Sequence, residues 1–63
     1  MYSGVCRAEG YIVALESING MITKGITYEL IYEVDNDNSI CYEFIGDDGM
    51  YTQLAEKYFY KIK

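Results

Sequence analysis

The acidic residues are the main group of side chains in this chain that could take part in binding or catalysis. Glu29, Glu33 and Glu43 recur along two segments of alternating character, and Asp35 and Asp37 stand between those segments. Carboxylates serve as metal ligands, as acid–base pairs or as a charged surface for a basic partner. Their spacing decides among these uses.

The spacing of Asp35, Asp37 and Ser39 matches the first, third and fifth positions of a calcium-binding loop. Such a loop needs glycine at the sixth position and glutamate at the twelfth. Ile40 and Gly46 stand there instead. The chain has no histidine and two widely separated cysteines, which leaves no ligand set for structural zinc. We therefore expect neither a metal nor a cofactor, and we interpret the acidic run as a solvated hairpin turn.

Catalysis needs an activated nucleophile or a tuned acid–base pair. The chain has no histidine, and Cys6 and Cys41 do not form a CxxC motif. Carboxylate pairs are common on any acidic surface and single out no site. We expect a protein that is not an enzyme, with Cys6 and Cys41 as reduced thiols unless the chain enters an oxidising compartment.

The charge balance restricts the class of partner. Ten acidic against five basic residues give a net charge of −5. Direct contact with nucleic acid or an anionic membrane needs an excess of Lys and Arg, so we expect neither. A basic protein partner fits this charge, as does a role in solubility alone. The N-terminal residues do not resemble a signal peptide and no apolar run is long enough to span a membrane, so the expected compartment is the cytoplasm.

Residues 26–45 predict a β-hairpin around which the fold is organised. In the first strand Ile26, Tyr28, Leu30, Tyr32 and Val34 share one face, because successive side chains of a strand point to opposite sides. The second strand repeats this apolar face, and matching the two faces predicts an odd number of turn residues. Two registers stay open: one pairs Leu30 with Tyr42 and Tyr32 with Ile40, and the other pairs Leu30 with Phe44 and Tyr32 with Tyr42.

Shorter elements flank this hairpin. We predict a strand over residues 11–15, apolar on both faces, then a long connector over 16–25 whose Ile18, Met21 and Ile22 cover one end of the core. Asp48-Gly49 predicts a turn before a strand over 50–54, and a last strand is expected over 58–62, with a single helical turn at 55–57 between them. In the last strand either Phe59 or the Tyr58/Tyr60 pair faces the core, and we expect Phe59 and Ile62 to be partly buried. We expect residues 1–9 to be a loosely attached N-terminal arm, with pairing of Val5 and Cys6 to a sheet edge as the alternative.

These elements predict an all-β fold, a small five-stranded SH3-like barrel over residues 10–63 with one short helical turn before the last strand. The competing architecture is a twisted open sheet that dimerises to cover its second face.

The residues that frame this pattern carry a family resemblance. Thr23-Lys24-Gly25-x-x-Tyr28-Glu29-Leu30, an acidic turn, Tyr42-x-Phe44-x-x-Asp47-Asp48-Gly49 and the aromatic Phe59 resemble small SH3-like proteins encoded by phages and prophages of Gram-positive bacteria. The resemblance covers residues 11–62 and implies an SH3-like fold and a viral origin. It implies no activity.

The function predicted from these features is a non-enzymatic protein-binding module. Its expected partner is a basic host protein that handles nucleic acid, inhibited through charge mimicry. The predicted binding residues are those of the outer hairpin face and turn: Glu29, Ile31, Glu33, Asp35, Asp37, Cys41 and Glu43. The alternatives are a self-assembling structural module, in which copies pair across a two-fold axis, and an SH3-type groove for an extended peptide.

Overall fold

The computed structural model describes residues 3–36 and 39–62, which form an antiparallel sheet of six strands. The elements, in chain order, are β1 (Ser3–Arg7), β2 (Tyr11–Ala14), β3 (Thr27–Asn36), β4 (Ser39–Ile45), β5 (Tyr51–Ala55), a 3₁₀ turn (Glu56–Tyr58) and β6 (Phe59–Ile62). The strand order is β5-β4-β3-β2-β6, with β1 beside β3. The predicted all-β class and the helical turn before the last strand are confirmed. The sheet is not closed into a barrel.

Strand β1 lies within residues 1–9, which were expected to form a loosely attached arm. It pairs antiparallel with the second half of β3, with Val5 opposite Val34 and Cys6 opposite Glu33. Strand β2 continues along the same edge of β3, with Ile12 opposite Tyr28. Residues 3–14 therefore contribute two strands in succession to one side of the longest strand. The expectation of a loosely attached arm is wrong for residues 3–7, and the predicted count of five strands is wrong because β1 adds a sixth.

Strand β3 is irregular on both of its sides near Ile31. Toward β4, Leu30 lies opposite Phe44 and Tyr32 opposite Glu43, so β3 contains one extra residue. Toward the other edge, Ala8 N–H donates to Ile31 O and Leu30 N–H donates to Gly10 O, each at 3.0 Å, which makes Glu9 the extra residue on that side. Bulges increase twist and bend a sheet. The sheet therefore curls at this point.

The observed hairpin register corrects the prediction in part. The pairing of Leu30 with Phe44 is one of the two registers predicted, but the pairing of Tyr32 with Tyr42 is wrong, because the bulge shifts every pair beyond it by one residue. Asn36 pairs with Ser39, so two residues separate the strands and the predicted odd-length turn is wrong. The turn residues themselves lie outside the described part of the chain.

The core lies on the concave side of the curled sheet and is built on aromatic rings. Phe44 is fully buried, with its ring centroid 5.2 Å from those of both Tyr28 and Phe59. Such tilted and edge-on pairs are the favoured aromatic geometries. The other buried members of this cluster are Ile12, Ala14, Ile22, Leu30 and Tyr42.

Burial tests three predictions for flanking residues. Phe59 is buried as expected, whereas Ile62 is 40% exposed, because Phe59 pairs with buried Ala14 and Ile62 pairs with exposed Tyr11. Strand β2 is apolar on both faces, as predicted, but it is covered on one: Ile12 and Ala14 are buried, and Tyr11 is exposed.

The connector between β2 and β3 packs back onto the β4–β5 turn. Its Ile22 is buried and Ile18 packs against the core, while Met21 is 39% exposed. Asp47 N–H donates to Met21 O at 2.9 Å, and Gly46 is buried beneath that contact. The prediction that connector residues cover one end of the core is therefore right for the two isoleucines and wrong for Met21.

Candidate functional site

The bulge in β3 divides the acidic face predicted from the sequence. Residues paired across strands share a face. Glu29 pairs with exposed Tyr11 on the outer face, but beyond the bulge Glu33 pairs with buried Tyr42. Asp35 lies on the same side as Glu33, while Cys41 and Glu43 stay on the outer face of β4. The prediction that all these residues form one surface is wrong, because an extra residue in a strand exchanges its two faces.

Two of the predicted binding carboxylates already have partners within the chain. Lys61 Nζ donates to Glu33 Oε2 at 2.8 Å, and Gln53 Nε2 donates to Glu43 Oε1 at 2.8 Å. The hydrogen bond to Glu33 raises the pKa of Lys61. Ile31 is half-buried at the bulge, and Asp37 lies outside the described residues. Of the predicted set, Glu29 and Asp35 are the described acidic residues whose side chains are exposed.

The irregular pairing opens a cleft on the outer side of β3. The strands β1 and β2 separate at Glu9, and Gly10 closes the bulge with φ of 115°, a conformation that favours glycine. The resulting bulge cleft has a volume of about 410 Å³ and is lined by residues of β1, the bulge and the facing part of β3: Arg7, Ala8, Glu9, Gly10, Tyr11, Glu29, Leu30 and Ile31. Glu29 is thus the predicted acidic residue that the structure places in a concave site, together with the half-buried Ile31.

An exposed apolar surface adjoins this cleft along β2 and β6. Tyr11 pairs with Ile62 and Val13 pairs with Tyr60, so the four side chains share the outer face. Tyr60 is 65% exposed and Tyr11 51% exposed. We call these four residues the aromatic strip. Tyr11 belongs to both the strip and the cleft, so the two form a continuous surface.

The most elaborate polar network of the described chain ties the connector to the β4–β5 turn. The Tyr28 hydroxyl donates to Asp47 Oδ1 at 2.6 Å and accepts from Thr23 N–H at 2.8 Å, and Thr23 Oγ1 donates to Asp47 Oδ2 at 2.7 Å. The two hydroxyl donors, Tyr28 first, lower the pKa of Asp47. Burial, and then the hydrogen bond to Asp47, raises the pKa of Tyr28. These shifts hold the proton on Tyr28 and the charge on Asp47, which suits a structural tie and opposes proton transfer.

A second buried tyrosine lies at the opposite end of the core. Burial, and then the charge of Glu56, raises the pKa of Tyr42. Its hydroxyl has no hydrogen-bond partner among residues 3–36 and 39–62.

Sequence reasoning missed the cleft because its walls come from the N-terminal residues. Arg7 and Glu9 were assigned to an arm, and Tyr11 was interpreted only as part of a strand. A signal was present in Gly10, since an isolated glycine between two strand-like segments indicates a bulge. Gly10 does not show which strand pairs with these residues, so the position of Glu29 opposite Tyr11 could not be deduced from the glycine.

Among the described residues, no helix is long and apolar enough to cross a membrane. Comparison with known proteins finds no family model, no curated protein and no solved structure that matches the chain. The site therefore has to be interpreted from its own geometry.

Proposed function

We propose that the protein is a non-enzymatic binding module whose partner-binding surface is the aromatic strip together with the bulge cleft. The observation that carries this proposal is the exposure of Tyr11, Tyr60 and Ile62 on one face, next to a concave site. Tyrosine supplies large rigid contact area with a polar tip, and aromatic residues are enriched at the centres of interfaces. A contiguous apolar surface rimmed by polar groups is typical of a protein-binding site.

The cleft favours a basic side chain from the partner. Glu9 and Glu29 line it, and Arg7 offsets part of their charge. A Lys or Arg side chain would meet both carboxylates and the ring of Tyr11, which offers a cation–π contact. The net charge of −5 extends this preference to the approach of a basic partner, because long-range attraction raises association rates.

This proposal modifies the charge-mimicry hypothesis. The acidic contribution comes from Glu9 and Glu29 around the cleft, rather than from a continuous stripe through Glu33 and Glu43. Inhibition of a host protein that handles nucleic acid remains the form of action we favour, since such proteins expose basic surfaces. The proposed cytoplasmic location and phage-type origin of the protein rest on the sequence pattern and on the resemblance described above.

We extend the proposal to an SH3-like arrangement of the strands. A long connector after β2, two successive hairpins and a 3₁₀ turn before the last strand follow the order expected for that fold. The bulge in β3 lets one strand contribute to both halves of the curled sheet. In such an arrangement, exposed tyrosines on the sheet would be available to an extended peptide, which is the peptide-binding form of the proposal.

The first test uses a defined probe. Uniformly ¹⁵N-labelled protein would be titrated with a hexa-arginine peptide, and amide shifts are expected at Gly10, Tyr11 and Glu29. Glu29→Gln should weaken binding and reduce its salt dependence, because one fewer charge attracts the probe. Asp35→Asn, which neutralises an exposed acid outside the cleft, serves as the control. Shifts spread evenly over all acidic residues would contradict a specific site.

The second test uses the natural partner. Tagged protein would capture binding proteins from a nuclease-treated Gram-positive lysate, and the affinity of the captured protein would be measured by calorimetry. The Tyr11→Ser/Tyr60→Ser double variant should lose binding at least tenfold, as expected for removing two interface anchors. Met50→Ser is the control, since Met50 is 64% exposed but lies in the turn before β5, outside the strip and the cleft. Equal loss in both variants would refute the assignment of the surface.

A further inference from the structure

The three edge strands of the sheet differ in how they resist further pairing. Strand β6 carries Lys61, which pairs with buried Ile12 and reaches Glu33, and β1 ends in Arg7. Charged residues on an edge, and inward-pointing ones in particular, oppose edge-to-edge association. Strand β5 has the sequence YTQLA, without charge or proline, and its pairing with β4 is regular. Among the described strands, β5 is therefore the unprotected edge.

The backbone of β5 presents hydrogen-bonding groups at this edge. Gly46 N–H donates to Met50 O at 2.9 Å, which shows that Gly46 and Met50 are a hydrogen-bonded pair of the β4–β5 ladder. Hydrogen-bonded and non-hydrogen-bonded pairs alternate along an antiparallel ladder. Thr52 and Leu54 accordingly direct their backbone groups to β4, while those of Tyr51, Gln53 and Ala55 point away from it. These outward groups form a template for one more strand.

The side chains of the outer face show which strand would fit. One cross-strand row runs Val5–Val34–Cys41–Ala55 and ends at the β5 edge. It is apolar throughout, and Val34 is 7% exposed although it is not part of the main core cluster. A second apolar row joins Ile45 to Tyr51 and ends at the same edge, with Tyr51 67% exposed. The two rows end two residues to either side of Gln53.

We propose that β5 pairs antiparallel with β5 of a second copy, about a two-fold axis at Gln53. In this register Tyr51 of one copy lies opposite Ala55 of the other, so each short apolar row continues into a long one. Gln53 meets its own counterpart, and Thr52 meets Leu54. The strand is thus complementary to itself, as a two-fold interface requires. The resulting sheet runs continuously through both copies.

Negative charge in the row of Gln53 does not oppose this arrangement strongly. The nearest acidic residue in the row of Gln53 is Glu43, on β4. Three strand spacings of about 4.8 Å separate the two copies of Glu43, a distance of roughly 14 Å. The Debye length at physiological ionic strength is about 8 Å, so this repulsion is largely screened.

Sedimentation equilibrium of the full chain tests the proposal. The wild-type mass should rise with concentration from 7.3 kDa toward twice that value. Gln53→Pro should remain monomeric, because it removes an outward N–H that β4 does not use, and Gln53→Thr is the control that keeps this N–H. A wild-type mass that stays at 7.3 kDa, or a dimer that persists in Gln53→Pro, would overturn the proposal.

A second variant covers the case in which Gln53→Pro does not fold, which circular dichroism would reveal. Gln53→Glu keeps all backbone donors and places like charges directly opposite each other across the axis. It also replaces the hydrogen bond from Gln53 to Glu43 by a like-charge pair within each copy, so circular dichroism must first show that the monomer is folded. Gln53→Glu should weaken dimerisation at least about fivefold at neutral pH, with recovery in acid. Unchanged dimerisation in Gln53→Glu would count against the two-fold register. The Tyr11→Ser/Tyr60→Ser variant should dimerise normally, so failure of the binding surface and failure of this edge are distinguishable.

Discussion

Removing the hydroxyl of Tyr28 tests how much the hydrogen-bond network between the connector and the β4–β5 turn, here called the tie, stabilises the fold. Tyr28→Phe keeps the ring that packs at 5.2 Å from Phe44 and deletes one oxygen. That oxygen donates to Asp47 at 2.6 Å and accepts from Thr23 N–H at 2.8 Å. Net hydrogen-bond contributions are about 1 kcal/mol each and larger for charged partners. Since water reaches the exposed side of the tie, we expect a loss of about 1–2 kcal/mol in the free energy of unfolding.

The same variant changes the pH dependence of stability. The pKa of Asp47 in the folded state is lowered from its ordinary value of 3.8, chiefly by the Tyr28 hydroxyl. A lowered folded-state pKa stabilises the protein above the ordinary value, and this contribution is lost as the pH falls through the lowered value. Wild type should therefore lose more stability than Tyr28→Phe as the pH is lowered from about 7 to about 3. Thr23 still donates to Asp47 in the variant, so part of the acid dependence should remain.

Urea unfolding followed by circular dichroism at both pH values measures these differences. A domain of this size loses about 4–8 °C in melting temperature per kcal/mol, so thermal melts should also resolve the variant. Tyr42→Phe is the matched control, since Tyr42 is equally buried and its hydroxyl has no bond among the described residues. Equal stability losses in both variants, or an unchanged acid slope in Tyr28→Phe, would refute a specific role for the tie.

Three further substitutions, one of them with a matched control, test other contacts of the fold. Gly46→Ala should destabilise by about 1–3 kcal/mol in urea melts, because an added Cβ would lie 2.9 Å from the backbone oxygen of Met21. Gly10→Ala should cost about 1–2 kcal/mol, since φ of 115° strains any residue with a Cβ, whereas Gly4→Ala in β1 should be close to neutral. Glu33→Gln should change stability by less than about 1 kcal/mol, because its ion pair with Lys61 is partly exposed; a larger loss would show that the pair is needed for folding.

The parts of the fold that sequence could predict are those fixed by local chemistry. Alternation around Tyr28 and Leu30 predicted the start of β3 and its buried face, and both residues are buried. The turn before β5 was predicted from Asp48-Gly49, and Gly49 has the positive φ that such a turn needs. In the last strand the alternation allowed either Phe59 or the Tyr58/Tyr60 pair to face the core, and Phe59, the preferred choice, is buried. In each case the relevant partners lie nearby in sequence or follow from the two-residue period of a strand.

The residues beyond Ile31 could not be placed in this way. A strand's period assigns faces only while its ladder is regular, and a single inserted residue reverses every later assignment. Val34 was assigned to the core face and Glu33 to solvent, yet Glu33 shares the face of buried Tyr42. Nothing in the composition of residues 30–32 distinguishes a bulge from a regular strand. The bulge is determined by pairing with strands before and after β3, which is tertiary information.

The same irregularity links the shape of the sheet to the location of the candidate site. The extra residue at Ile31 turns the second half of β3 away from the first, and the extra residue at Glu9 accommodates that turn on the neighbouring edge. A regular ladder here would close the space between Arg7 and Tyr11 and leave no cleft. The bend that allows one short sheet to wrap a core around Phe44 also opens the concave surface beside Glu29. Selection for a stable small core and for a binding surface would therefore act on the same few residues.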